Sequence, residues 1–438
     1  MLLLPFRVER QPVEEAADVY YGPDPSLAAA ARVGICWAPS TWDWFIRQDS
    51  SFPAHRHVRV GDTRIPVCFE ATGALSFDPV AMTALLLGGW QERVIRTRDE
   101  HGRFPHTASF QHQTDSLELP IVDWMRHIVS DLLAAQGLAM ERKQFGKDTW
   151  AFCSTHDIDY VRKWRPGIWK RELLDRALLN RENESLGTRV KRARRATWSF
   201  FESGDPFRSA LTRIPAELEA RGARGTFFYK AGAHGFRDVD YDIAGFDVRS
   251  RLLQQLENGH EVGLHPSYHA FAHTDRLIAE RDRLATAAGK PIRSHRAHYL
   301  RYDHPASLHR WEGASFSVDS TLGWAGAPGF RHGTCLPFPL FDPVAMREST
   351  VWEMPLAAME SALFNRQHKT VEEAIQDADR LMKTCVSFGG VFVGLWHNTL
   401  WDEADYPGWG HHFEQTVRAA SDRGARMDTL SGTLDAWM

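Results

Sequence analysis

From Thr149 onward the chain repeats one unit: a short apolar run, a polar or charged residue at its end, then an amphipathic stretch. Candidate strands are 149–159, 224–231, 260–265, 292–297, 314–320, 351–358, 390–397 and 424–429. Helical periodicity lies between them, as in Val248, Leu252, Leu253 and Leu256 closed by Gly259, or Leu277, Arg281 and Leu284 after the N-cap candidate Thr274. Strands that alternate with helices pair in parallel, because a parallel connection must cross over the sheet and a helix makes that crossing. The expectation is an α/β fold, a closed or nearly closed (β/α) barrel of up to eight strands over residues 149–438. Barrels of this kind place their chemistry at the carboxyl ends of the strands, where the His and Asp residues discussed below fall.

Residues 1–148 lack that strand–helix rhythm and are expected to form a separate or wrapping N-terminal accessory region, an additional α/β region ahead of the barrel. Its clearest helix follows Pro120, with Ile121, Trp124, Ile128, Leu132 and Leu133 at helical spacing and Gly137 as a stop. A second apolar run, Val80 to Leu87, ends at Gly88-Gly89, and Asp99-Glu-His-Gly-Arg103 marks a turn. A basic insertion spans 162–208. Its core, 162–195, carries twelve Lys/Arg against four Asp/Glu, a local balance of +8, and interleaves Trp164, Trp169, Leu173 and Leu178. Such a segment suits peripheral contact with an anionic membrane surface or a polyanionic substrate, and equally a solvated helical insertion on the barrel.

Composition narrows the classes. With 43% hydrophobic and 25% charged residues and a formal net charge of −4, the 438-residue chain is neither a disordered protein nor a general nucleic-acid binder. Cys36, Cys68, Cys153, Cys335 and Cys385 form no Cys-x-x-Cys pair and read as reduced thiols, so a metal has to be held by His and carboxylate. The opening Met1-Leu-Leu-Leu-Pro-Phe-Arg has too short an apolar core for a signal peptide, and no window approaches a membrane span. The expected location is cytoplasmic, with the basic segment able to hold the protein at the inner membrane face.

Five motifs carry the chemistry. Ala151–Asp159 is an apolar strand ending in two carboxylates, and period-two geometry sends Asp157 and Asp159 to the same side, where a cation relieves their repulsion. His265-Pro-Ser-Tyr-His269 follows the strand Glu261–Leu264. Histidines at i and i+4 with Pro266 at a first helical position place two imidazoles around one point, and with one carboxylate they make a three-ligand site that keeps positions open, as catalytic zinc sites do. Ser294–Arg301 supplies Arg296, able to pair with a site carboxylate, and the Tyr299 backbone N–H as an oxyanion donor. Phe316–Trp324 places Asp319 at a strand end, and Val391–Asn398 delivers His397, which Asp319 could orient and charge. Tyr299, Trp324 and Arg331 are the candidates for substrate contact.

In order and content these motifs resemble those of the polysaccharide deacetylase superfamily (NodB homology, carbohydrate esterase family 4) over roughly residues 149–430. The family's Thr-Phe-Asp-Asp-Gly looks like Thr155-His-Asp-Ile-Asp159, its His-Ser-x-x-His like His265–His269, its Arg-x-Pro-Tyr like Arg296-Ala-His-Tyr299, and its later Asp and Leu-x-His motifs like Asp319 and Leu395-Trp-His397. The resemblance implies a distorted (β/α)7-type barrel and one divalent metal, most simply zinc, on Asp159, His265 and His269. It further implies Asp157 as general base, Arg296 as its orienter, and His397 paired with Asp319 as general acid. Here Ile158 separates the aspartates, so their roles could be exchanged, and His298 stands where the family has Pro. The implied activity is removal of an N-acetyl group from a sugar, with a cytoplasmic glycan intermediate, lipid-linked or nucleotide-linked, as the carbohydrate substrate. A metal-dependent glycosyltransferase using Asp157-Ile-Asp159, or an inactive carbohydrate-binding protein, are the alternatives.

Overall fold

β1 (Val19–Gly22) and β2 (Val33–Trp37) run parallel, joined by the helix Pro25–Ala30, whose first turn is capped by the Asp24 carboxylate. β3 (Arg56–Val60) and β4 (Thr63–Val67) form a hairpin, and β5 (Ala71–Gly73) pairs antiparallel with β2. The N-terminal region therefore holds a β–α–β unit that the sequence reading missed, because strands of three to five residues are too short for periodicity to register. The helix Ile121–Ala135 stands where expected and buries Ile121, Val122, Met125, Val129 and Leu133, and the apolar run from Val80 forms the helix Pro79–Leu86, capped by Asp78. The structure, a computed structural model, describes residues 18–138, 141–164, 204–232, 237–238 and 241–438, with 185–187, 189–191, 193–194 and 197.

β6 (Ala151–Ile158) is buried at every residue, as a strand covered on both faces must be. From it the parallel order runs through β7 (Gly225–Tyr229), β8 (Glu261–Leu264), β9 (Ser294–His295) and β10 (Val318–Asp319). β11 (Phe338–Asp342), which was not expected, pairs antiparallel with β12 (Arg347–Glu353), and β12 pairs parallel with β10. After Met354-Pro355 the chain continues as β13 (Leu356–Met359), which pairs with β14 (Val391–His397), itself parallel to β6. The run expected as one strand over 351–358 is thus two, broken where Pro355 removes a ladder N–H, and they serve opposite edges of a curled sheet consistent with a distorted barrel. β15 (Arg426–Met427) fills the β7 side of Ala151 and Phe152, where β7 has not yet begun.

One hydrophobic core joins the two regions. Trp44, Met82 and Val122 from the N-terminal side belong to the same buried cluster as Phe152, Leu211, Leu381 and Phe413, each large side chain contributing ~1.5–3 kcal/mol. A buried bidentate pair, Arg331 to Glu92 at 2.7 and 2.6 Å, crosses the same boundary. Most of the basic segment 162–195 lies outside the described residues. At its start, Arg162 pairs with Asp247 at 3.1 Å, and the buried Lys163 ammonium lies between Asp402 and Asp405, so these two cations are engaged with the barrel. Among the described residues no helix is long and apolar enough to cross a membrane.

Candidate metal and catalytic site

Six of the parallel strands deliver a site residue at or just past their carboxyl ends. Asp159 follows β6, Lys230 follows β7, His265 follows β8, Arg296 and His298 follow β9, Glu360 follows β13, and His397 ends β14. Asp157, Asp159, His265, His298, Tyr299 and His397 line a common cavity of about 260 Å³. Strand register produces this convergence: Asp157 sits opposite His397 on one side and Phe228 on the other.

The two aspartates do leave β6 on one side. His265 Nε2 lies 3.6 Å from Asp157 Oδ2 and 3.5 Å from Asp159 Oδ1. His265 Nδ1 is 2.8 Å from the carbonyl oxygen of Arg296, so Nδ1 carries a proton and donates it there, which fixes the ring with Nε2 toward the two carboxylates. His298 Nε2 stands 3.6 Å from the same Asp159 oxygen, and its Nδ1 is 3.5 Å from Asp238 Oδ1. Burial outweighs the neighbouring carboxylates of Asp238 and Asp159 and pushes the His298 pKa down to about 4, so this imidazole is neutral. Asp159 is itself held well below the carboxylate range: burial opposes ionisation, but Lys230, His265 and His298 outweigh it.

His269 is not part of this group. Sequence spacing assigned it as the second imidazole, but the chain leaves β8 extended and then turns, held by the Glu280 carboxylate, which accepts from Ser267 N–H at 2.8 Å and from its hydroxyl at 2.5 Å. Without a helix the i, i+4 rule does not apply, and His269 is exposed beside Tyr268. The donor atoms that lie together, within 4.8 Å of one another, come from Asp159, His265 and His298.

That set fits a divalent metal. Asp159 Oδ1 is buried without an aligned hydrogen bond, with the Lys230 ammonium 2.9 Å away; the Nε2 atoms of His265 and His298 lie 3.5 and 3.6 Å from it, and the Arg296 carbonyl and Asp238 carboxylate stand behind the far ring nitrogens. Asp157 is placed differently: Arg296 Nη1 lies 3.3 Å from its Oδ1, and that guanidinium is fixed by Thr155 Oγ1 at 2.7 Å, the Ser320 carbonyl at 2.8 Å and Ser320 Oγ at 2.9 Å.

His397 has a different partner from the expected one. Its Nδ1 lies 2.6 Å from Glu360 Oε1, which also accepts from its backbone N–H at 2.7 Å. Burial lowers the His397 pKa, but Glu360, Asp159 and Asp157 outweigh it and raise it to about 10. Asp319 instead faces the buried His295, at 2.7 Å, and accepts from the Thr321 N–H and hydroxyl. It braces the loop behind Arg296 and does not reach His397. Arg331 and Trp324 do not line this cavity: Arg331 pairs with Glu92, and Trp324 is buried against Phe104 and His106. Tyr299 does line the cavity.

Comparison with known proteins places these features in context. Residues 39–137, within the N-terminal region, match a family described as a family of unknown function, DUF7033. No curated protein matches the chain in sequence. Among solved structures it is similar to a protein of Mycobacterium smegmatis assigned as a polysaccharide deacetylase, at 16% identity and a TM-score of 0.42 over 66% of this chain and 90% of that one. It is also similar to a peptidoglycan deacetylase of Bacillus subtilis (12%, TM-score 0.32, 66% and 91%) and to a carbohydrate esterase family 4 pseudoenzyme of Bacillus anthracis (10%, TM-score 0.34, 65% and 66%). The chemistry has to be argued from the side chains.

Sequence reasoning missed three members of the site. Lys230 and Glu360 are lone charged residues without a motif, yet each is the first residue after a strand, and that position was the available signal. His298 was visible as the residue standing where the resembled family has Pro.

Proposed function

We propose that this protein is a metal-dependent hydrolase that removes an N-acetyl group from a sugar, with Asp159, His265 and His298 as the residues that would hold the metal. The observation that carries the reading is the division of labour in one cavity: a carboxylate and two imidazoles grouped around one point, beside a second carboxylate held by Arg296 and a histidine kept charged by Glu360. A divalent ion bound there would supply Lewis acidity toward the acetyl carbonyl and its attacking water.

The chain's own residues account for the proton movements. Asp157, fixed by Arg296, takes a proton from the attacking water as its oxygen bonds to the acetyl carbon. His397 donates its proton to the amide nitrogen as the C–N bond breaks, releasing acetate and the amine. The Tyr299 backbone N–H is the proposed donor to the tetrahedral oxyanion. A glycan intermediate carrying a pyrophosphate, nucleotide-linked or lipid-linked, suits a chain whose positive charge is concentrated in 162–195. The paired imidazoles weigh against a glycosyltransferase, whose pyrophosphate-bound cation prefers oxygen ligands. One observation favours a second reading, an inactive carbohydrate-binding protein: the Lys230 ammonium stands between Asp159 and His298.

Acetate release from a panel of N-acetylated sugars, nucleotide sugars and lipid-linked saccharides, using zinc- or cobalt-loaded protein, tests the proposal. Turnover is expected on at least one class, and Asp157→Asn is expected to lower it by roughly 10²–10⁴-fold with metal content retained. No acetate from any class with metal bound supports the binding protein instead.

A further inference from the structure

Lys230 has no part in the chemistry just described, yet its ammonium contacts two residues of the site. It is the first residue after β7, with its backbone N–H donating to the Tyr241 hydroxyl at 2.8 Å, and its side chain is 3% exposed. Its ammonium lies 2.9 Å from Asp159 Oδ1 and 3.1 Å from His298 Nε2. Those are two of the three donor atoms grouped for a metal. A buried ammonium needs a carboxylate partner and an acceptor for its protons, and here both are the prospective ligands. A divalent ion on the same oxygen and nitrogen needs their lone pairs directed at it from about 2.0–2.2 Å. A lone pair that accepts a hydrogen bond from an ammonium is not available to a metal, and two cations cannot share a seat of this size.

We propose that Lys230 is an internal cation that competes with the divalent ion for Asp159 and His298, so that metal uptake requires displacement of its ammonium. This inference rests on the metal-binding reading of the site. Its consequence is that the protein holds the metal more weakly than the donor set alone would allow. In the metal-free protein Lys230 supplies the charge that keeps buried Asp159 compensated. The competition is one of charge and position, and it distinguishes this site from one whose third ligand meets only water.

Cobalt(II) is the probe, because its visible absorption reports the ligand set directly. Titration of wild type, Lys230→Met and Lys230→Gln is expected to give one ion per chain in each, with Kd at least tenfold lower in both variants. Metal-free Lys230→Met is expected to melt below wild type, since Asp159 loses its partner, and to regain the difference on cobalt binding. Lys230→Gln keeps a donor toward His298 and guards against the Met variant failing to fold. In the wild type, saturating cobalt is expected to increase acetylation of Lys230 by an N-hydroxysuccinimide ester, read by peptide mass spectrometry. Equal Kd values in wild type and variants, or Lys230 acetylation unchanged by metal, overturn the competition while leaving the metal site standing. Absence of cobalt binding in wild type and in both variants overturns the metal-binding reading, and the competition with it.

Discussion

At the residue scale, the informative contrast is between two histidines separated by a few turns of chain. His269 has the spacing of a ligand and is exposed, whereas His298 has no recognised spacing and presents a neutral Nε2 3.6 Å from Asp159 Oδ1. His265→Ala and His298→Ala are each expected to lose stoichiometric zinc after dialysis, while His269→Ala keeps it; elemental analysis of the three variants decides the ligand set. A second prediction concerns His397. Its pKa is raised from the ordinary 6.5 to about 10, so the stability it contributes is fully present below 6.5 and is lost as pH rises through 10. Removing the Glu360 charge brings the folded pKa back toward 6.5. Glu360→Gln is therefore expected to flatten the alkaline fall in stability between pH 7 and 10, followed by denaturant melts. It is also expected to lower kcat/KM by roughly fourfold at pH 7, because the proton donor is less charged at neutral pH. A parallel fall in stability for both proteins over that range would remove Glu360 from this role.

At the scale of elements, the loop after β9 is the strained part of the site. Tyr299 and Leu300 both have positive φ, 62° and 54°, in a region that L residues enter at a cost of about 1–2 kcal/mol each. The N-terminal turn over-determines them. Arg103 Nη1 donates to the Tyr299 carbonyl at 2.9 Å, the His101 ring lies 4.4 Å from the Tyr299 ring, and Arg301 Nε donates to the His101 carbonyl at 2.9 Å. The accessory region thus holds the loop that carries His298. Arg103→Ala is expected to weaken cobalt affinity about tenfold while retaining the ligand-field spectrum; a lowered melting temperature with unchanged affinity would reduce Arg103 to a structural contact. Legibility followed the same line between elements and connections. β6, β8 and β14 were readable because long apolar runs end abruptly in His or Asp, and these ends gave Asp157, Asp159, His265 and His397. β9 and β10, two residues each, were overestimated because apolar residues continue into buried loops. Residues 351–358 read as one strand, and the structure divides them between β12 and β13. The His265–His269 spacing means one face in a helix and nothing in a turn, and sequence alone did not distinguish them.

At the scale of the whole molecule, charge is segregated. Residues 162–195 carry +8 and the remainder of the chain −12, so the protein is strongly polar despite a net charge of only −4. Arg162 and Lys163 are engaged with carboxylates of the barrel, and the sequence from Arg165 to Arg195 holds ten further Lys/Arg, set against four acids. These cations alternate with Trp169, Leu173, Leu174, Leu178 and Leu179, a composition that favours an anionic interface over free solvent. We propose that this segment brings the protein to the surface on which a lipid-linked substrate lies. Each Lys or Arg near an anionic bilayer contributes on the order of 1 kcal/mol at physiological salt, so changing Arg189, Lys191, Arg192, Arg194 and Arg195 to Ser is expected to weaken partitioning by up to about five-thousandfold. The measurement is co-sedimentation with phosphatidylserine-containing vesicles at low and high ionic strength. Wild type is expected to pellet at low salt and be released at high salt, since screening shortens the reach of these charges to a few ångströms, and the five-Ser variant is expected to stay in solution throughout. Equal behaviour of the two proteins makes the segment a solvated insertion. If binding to vesicles is absent in both but turnover of a phosphorylated sugar falls only in the variant, the same charges act on the substrate itself, because a pyrophosphate and an anionic headgroup present the same oxygens to an arginine.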